Sequence, residues 1–325
     1  MKPSRIITLN ILIVFLFLLI YYFSANMSFF SFFKREYNVV LVMKTTERIS
    51  EFWMILEKGA IQSAEDLGIN IEITGPDLED NIQQQISIME EVIESRPDAI
   101  ILAATDYKRL VPVSALAREK KIHLLTVDSF ISSDDAECEI GTVNEAAGAK
   151  LGAFVSGELN GGDTVALISF VADSSPAIER EQGVRSALGN SFRILDTVYT
   201  NNNIDLGYTE TKRLLAEYPE LKAIAALNEN SAVGAFRAVK ESDRAGEILF
   251  VTFDSDLEMI QGLEDGIIKA TLVQKPYNMG YLAVQMAYDL IRKKPVPPSI
   301  DTGSELITRD NMYDIKNQKL LFPSI

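Results

Sequence analysis

The 325-residue chain holds 31 basic and 46 acidic side chains, one histidine and one cysteine, for a net charge of −15. Residues 1–36 contain four of the basic residues and one of the acidic ones, so the rest of the chain carries about −18, the reverse of the basic stripe that nucleic acid requires. One cysteine excludes an internal disulfide, so burial of apolar surface must stabilise roughly 290 residues, a length that suits two domains.

The first stretch differs from the remainder of the chain. Ile6 to Phe23 reads IITLNILIVFLFLLIYYF, interrupted only by Thr8 and Asn10. At about 1.5 Å per residue it covers most of a roughly 30 Å hydrocarbon core. Lys2 and Arg5 ahead of it predict a cytoplasmic N-terminus, and Tyr21 and Tyr22 suit the far interface. Signal cleavage after Ala25 would put Phe23 where a small side chain is needed. A lipid-modified cysteine would have to follow the apolar run, and Cys138 lies far downstream. Residues 1–36 therefore read as a cytoplasmic tip, an uncleaved transmembrane signal-anchor and a short linker. This predicts a single-pass protein of the cell membrane with its binding domain extracytoplasmic.

Past Tyr37, short β-branched apolar runs alternate with amphipathic stretches. Asn38–Met43 (NVVLVM) reads as a buried strand, and Phe52–Leu67 as a helix stopped by Gly68. Ile69–Thr74 alternates with period two up to Gly75-Pro76. Ile82, Ile86, Met89 and Ile93 share one face of the next helix, which stops before Pro97. Strand Ala99–Ala103, helix Leu110–Glu119 and strand Ile122–Val127 follow. The rhythm restarts with helix Asn144–Leu159, which carries Gly148 and Gly152 four apart. Strand Thr164–Val171, helix Ile178–Leu188, strand Ile194–Thr200 and helix Tyr208–Tyr218 come next. Then come strand Ala223–Leu227, helix Ser231–Lys240, strand Ile248–Phe253 and short helix Leu257–Leu263. Strand Ala270–Val273 and helix Met279–Arg292 complete the series. Such alternation predicts βαβ units and parallel sheets, one sheet per series, with no loose Gly/Ser/Pro linker between them.

In open parallel sheets ligands sit beyond the carboxyl ends of strands. Those ends carry Phe52 and Trp53, Asp128, Arg180, Asn228, Asp254 and Gln274. Carboxylates accept from hydroxyls, Arg donates a fixed fork, amides do both, and flat aromatic faces meet the C–H side of a sugar ring. The set suits a polyhydroxylated, uncharged ligand. The plainer reading of each residue alone is a helix N-cap for an Asp or Asn and a core position for an aromatic.

Six segments, in order, resemble the ribose/galactose/xylose branch of periplasmic sugar-binding proteins: EFWMILEKGAIQSAEDLG, LLTVDSF, SSPAIEREQGVRSAL, ALNENSAVGAFRAV, FVTFDSDLEMIQGLEDG and ATLVQKPYNMGYLAV. The resemblance runs from about Tyr37 to the C-terminus. It implies two Rossmann-like α/β lobes with parallel sheets, joined by a three-segment hinge and here preceded by one transmembrane helix. The lobes would comprise residues 37–143 plus about 275–303, and 144–274 plus about 304–325. It also places the family's sugar contacts on the same seven residues, Phe52, Trp53, Asp128, Arg180, Asn228, Asp254 and Gln274. Ser50, Ala103-Ala104 and Ser129 depart from the ribose pattern, and the aromatic that covers the sugar from the second lobe is replaced near Asn202. The ligand is thus a monosaccharide whose identity stays open: a pentose such as xylose or ribose, a hexose, or a polyol.

Catalysis, metals and cofactors find no support in the sequence. His123 reads as a satisfied sheet histidine, and the glutamates flanking Cys138 disfavour its thiolate. Glu79-Asp80 and Asp134-Asp135 read as solvated loop charges. Transcription regulators that share the two-lobed fold carry a helix-turn-helix where this chain has its apolar stretch, which excludes that role. Two partners remain, a membrane sensor histidine kinase or an ABC permease. The anchor favours the kinase, because the chain resembles some anchored sugar-binding proteins of this family that work with a sensor kinase.

Overall fold

The computed structural model describes residues 13–22, 24 and 36–322, and it divides into two units, Met1–Tyr37 and Asn38–Ile325. In the first unit, residues 13–22 and 24 are helical, and the large apolar side chains from Ile13 to Tyr22 are exposed. The predicted span Ile6–Phe23 extends outside the described residues, as does most of the predicted linker. Among the described residues no helix is long and apolar enough to cross a membrane.

The second unit builds its first sheet from β1 (Asn38–Val42), β2 (Asn70–Thr74), β3 (Ala99–Leu102), β4 (His123–Val127) and β5 (Glu139–Gly141). Helices α1 (Glu51–Leu67), α2 (Ile82–Ser95) and α3 (Val111–Glu119) connect them. Gly68 ends α1 in the left-handed conformation at φ 63°, as the sequence predicts. β1 and β3 are buried almost throughout, which is why they read as unbroken apolar runs: parallel strands are covered on both faces.

The chain then crosses into a second set of elements: α4 (Asn144–Glu158), β6 (Thr164–Ser169), α5 (Ser175–Leu188), β7 (Arg193–Ile194), β8 (Val198–Tyr199), α6 (Ile204–Glu217), β9 (Leu221–Ala226), α7 (Glu229–Glu241), β10 (Leu249–Phe253), α8 (Leu257–Glu264) and β11 (Ile268–Val273). It returns through α9 (Pro276–Ile291) and β12 (Ser299–Asp301), then crosses again to β13 (Glu305–Thr308) and α10 (Ile315–Leu321). The first sheet runs β12-β5-β4-β3-β1-β2, all parallel. The second runs β13-β11-β10-β9-β6-β7, parallel except for β13, with β8 beside β6. The protein is a two-lobed α/β fold dominated by parallel sheets.

Several elements differ from the sequence reading. The single strand predicted over Ile194–Thr200 is two short strands, β7 and β8. α5 starts at Ser175, ahead of its first exposed apolar residue, with Pro176 in its first turn. α6 starts at Ile204 because Asn203 caps it, accepting from the Leu206 amide at 2.9 Å. β5, β12, β13 and α10 went unpredicted, being too short for periodicity to register.

Helix pairs pack against the sheets at close crossings. A Cβ on Gly148 of α4 would lie 2.2 Å from the Arg180 carbonyl oxygen on α5, so only glycine permits this approach. Gly280 of α9 plays the same part against Leu56 of α1, at 2.0 Å. The Gly148 crossing sets the backbone that carries Arg180 to the end of its lobe.

Candidate functional site

β4 and β10, central strands of the two lobes, end alike. Asp128 follows β4 at φ 63° and donates its amide to Ile140 O at 2.8 Å; Asp254 follows β10 at φ 65° and donates to Leu272 O at 2.8 Å. Left-handed backbone is a conformation that Asp tolerates better than most residues, and here it turns both carboxylates off the strand tips. Both line one cavity between the lobes.

All seven residues picked from the sequence line this cavity: Phe52, Trp53, Asp128, Arg180, Asn228, Asp254 and Gln274. Phe52 and Trp53 meet edge to face at 5.1 Å on the first turn of α1. They are core residues of the first lobe as well as cavity wall, so the plain reading of an aromatic at a helix start holds for them. Asn228 is likewise double-purposed: its Oδ1 caps α7 by accepting from the Ser231 amide at 3.2 Å, while its Nδ2 donates to Asn202 Oδ1 at 2.7 Å.

Arg180 is 2% exposed and heavily constrained. Its Nε donates to Asn144 Oδ1 and its Nη1 to Leu227 O, both at 2.8 Å; Nη1 lies 3.8 Å from Asp254 Oδ2. The guanidinium sits 4.4 Å from the Phe253 ring centroid and 5.7 Å from that of Phe170. Gln274 Nε2 donates to Asp254 Oδ1 at 2.7 Å, and its buried Oε1 has no partner among the described residues. An unmatched buried acceptor beside a cavity suits a ligand that brings a hydroxyl.

The cavity holds more charge than the sequence disclosed. Lys44, just past β1, is 1% exposed and lies 3.6 Å from both Asp128 Oδ2 and Glu79 Oε1. Glu79 was expected to be a solvated loop charge and is buried instead, because the loop leading into α2 folds over the cavity; its neighbour Asp80 is exposed, as expected. Asn202 Nδ2 donates to Glu79 Oε2 at 2.7 Å across the lobes. Glu229, one residue past Asn228, lines the cavity too. Phe170, just after β6, supplies an aromatic wall from the second lobe, with Lys44 Nζ 5.6 Å from its ring centroid. It falls inside the strand predicted over Thr164–Val171, so inspecting the residues beyond predicted strand ends misses it.

Burial governs the acids. Desolvation raises the Asp254 carboxyl, with the Arg180 charge opposing it, and raises Glu79 against the pull of Lys44. Burial pushes Glu229 up to about 8, and the Asp254 charge adds to that, while donors from Phe52, Glu51 and Ser50 oppose it. Outside the cavity, His123 Nδ1 lies 2.7 Å from Glu137 Oε1, the partner expected of a satisfied sheet histidine. Cys138 is buried, and its thiol is pushed up to about 11, mainly by desolvation and only secondarily by Glu139. No cluster of His, Cys, Asp or Glu suited to a metal ion occurs among the described residues.

Comparison with known proteins places this arrangement in context. The sequence profile described as periplasmic binding protein domain matches residues 39–295. The ribose import binding protein RbsB of Bacillus subtilis is 25% identical over 276 residues, covering 85% of this chain and 88% of that protein. A D-ribose/D-allose-binding protein of Pseudomonas aeruginosa is 28% identical, covering 83% and 88%. Among solved structures, an ABC transporter solute binding protein from Agrobacterium vitis with bound D-fucose has a TM-score of 0.84 at 28% identity, covering 87% of this chain and 99% of its own. A sugar transporter structure from Clostridium phytofermentans has a TM-score of 0.78 at 33% identity, covering 84% and 99%.

Proposed function

This chain belongs to the periplasmic binding protein domain family, and from that premise we propose that it binds a monosaccharide between its lobes and delivers it to an ABC permease. The observation that carries the reading is the cavity's composition. Asp128 and Asp254 stand at matching strand tips with Lys44 and Arg180 beside them, and Phe52, Trp53 and Phe170 supply apolar faces. Sugar hydroxyls donate to the carboxylates and to Gln274 Oε1, and accept from Arg180, Lys44 and Asn228. The C–H face of the ring lies on the aromatics. A ligand touching both lobes favours their closed arrangement, since it gains its full contacts only there.

Several relatives are named as import or transporter proteins, which supports a permease as partner over the kinase expected from the anchor. The apolar segment Ile6–Phe23 supports a location at the outer face of the cell membrane, with the lobes held near whichever partner they serve. Neither role requires chemistry of the protein, and the cavity residues serve as hydrogen-bonding and stacking groups.

A thermal-shift screen of residues 38–325, a compact unit of their own, tests the binding reading with D-ribose, D-allose, D-arabinose, D-fucose and D-xylose. A ligand at about 100 times its Kd adds roughly 2.7 kcal/mol to stability, which a melting curve resolves easily. No shift with any pentose, hexose or polyol would sink the proposal.

A further inference from the structure

Glu229 opens α7 in the second lobe, yet its partners lie in the first. Its Oε1 accepts from the Glu51 amide at 2.8 Å, and its Oε2 accepts from the Phe52 amide at 3.0 Å and the Ser50 hydroxyl at 2.9 Å. Those three donors form the start of α1. Ser50 stands at the N-cap with extended backbone, but its hydroxyl makes no cap bond to the helix. The first amides of a helix lack intrahelical partners and carry partial positive charge, and a neighbouring side chain normally answers them. Here a carboxylate 177 residues away does so. Ser50, Phe52 and Glu229 are all buried around the contact.

This cap exists only when the lobes meet. Separation returns Glu229 to water and leaves α1 uncapped. α1 also carries Phe52 and Trp53, so the same bonds fix the aromatic wall relative to Asn228 and Asp254. Resting on the sugar-binding reading above, we infer that Glu229 is a positioning residue that latches the closed lobes by capping α1 across the cleft. It thereby holds the aromatic wall in its ligand-facing place. The Asn202–Glu79 bond bridges the lobes independently, so loss of the latch loosens closure without abolishing it.

Distances between spin labels on the two lobes test this in the full-length protein in detergent, with and without the sugars of the thermal-shift screen. Glu65→Cys on α1 and Asp243→Cys beyond α7 are exposed attachment points, and the buried Cys138 stays unlabelled. Glu229→Gln leaves one accepting oxygen where two now answer the Glu51 and Phe52 amides and the Ser50 hydroxyl, and is expected to lower the closed-to-open ratio about tenfold; Ser50→Ala lowers it a few-fold. Helix content by circular dichroism stays that of the wild type in both variants. With a sugar that binds, Glu229→Gln raises the dissociation rate about tenfold and leaves the association rate unchanged, a split that general destabilisation does not produce. Equal distance distributions in the wild type and both variants overturn the latch, and so does a wild type that stays open under every condition. If no sugar shifts the wild type, the sugar reading fails by itself, and the latch is judged on the sugar-free distributions.

Discussion

Replacing Asp254 by Asn separates stability from binding. The carboxylate is buried and its ionised form is disfavoured by desolvation, so the fold bears a cost for keeping it charged. Asn preserves the shape, tolerates φ 65° at least as well, and still offers an oxygen to Gln274 Nε2, now 2.7 Å from Asp254 Oδ1. Arg180 loses a charge 3.8 Å away but keeps Asn144 Oδ1 and Leu227 O. The ligand-free protein should therefore hold its stability within about 1 kcal/mol. Binding should suffer more. Charged acceptors contribute about 1.5–3 kcal/mol per bond against 0.5–1.5 for neutral ones, so two sugar hydroxyls on this carboxylate represent about 2–3 kcal/mol. At 1.4 kcal/mol per decade, that is a loss of roughly 30- to 150-fold in affinity. Urea unfolding of the ligand-free variant and calorimetric titration with the wild type's sugar measure the two arms. A variant that binds as tightly as the wild type, or that loses several kcal/mol without ligand, refutes the reasoning.

Other perturbations draw on the same contacts. The raised carboxyl of Glu229 means that the folded state holds a proton longer than the unfolded chain, so its contribution is fully present below the ordinary glutamate value of 4.5 and is lost as pH rises through about 8. Glu79 and Asp254 shift in the same direction, whereas Glu94 and Glu181 oppose them. The ligand-free melting temperature should fall from pH 5 to pH 8, with a shallower slope in Glu229→Gln; equal slopes would falsify the assignment. Lys44→Met leaves Glu79 and Asp128 buried without their shared cation and should cost about 3–5 kcal/mol, read by urea unfolding. Gly148→Ala drives a methyl to within 2.2 Å of the Arg180 carbonyl oxygen. That overpacking should cost about 1–3 kcal/mol, and the displaced Arg180 should weaken sugar binding in the same titration; unchanged affinity would mean that this crossing does not set the arginine.

The alternation of strands and helices was legible from Tyr37 onward because strand and helix periods are local properties. Gly68, Gly148 and the residues after each strand could be picked out for the same reason. A parallel sheet sends its strand tips to one edge, so Asp254 and Gln274 converge whatever the loops do, and Asp128 stands at the corresponding edge of the other sheet. Tertiary structure alone decided the rest. Lys44 and Glu79 come from loops whose spacing carries no signal, and they meet because β1 and β2 pair in register. Phe170 reaches the cavity because β6 ends at Ser169, just before it. Glu229 stands beside Asn228 in the sequence, and its role depends on a helix start in the other lobe. Periodicity specifies which face of an element is buried, whereas crossovers between two sheets specify which distant charges share that burial. The sequence by itself therefore determined most of the elements, their largely parallel pairing and seven cavity residues; the packing of the lobes decided which acids lose their water and which groups answer them.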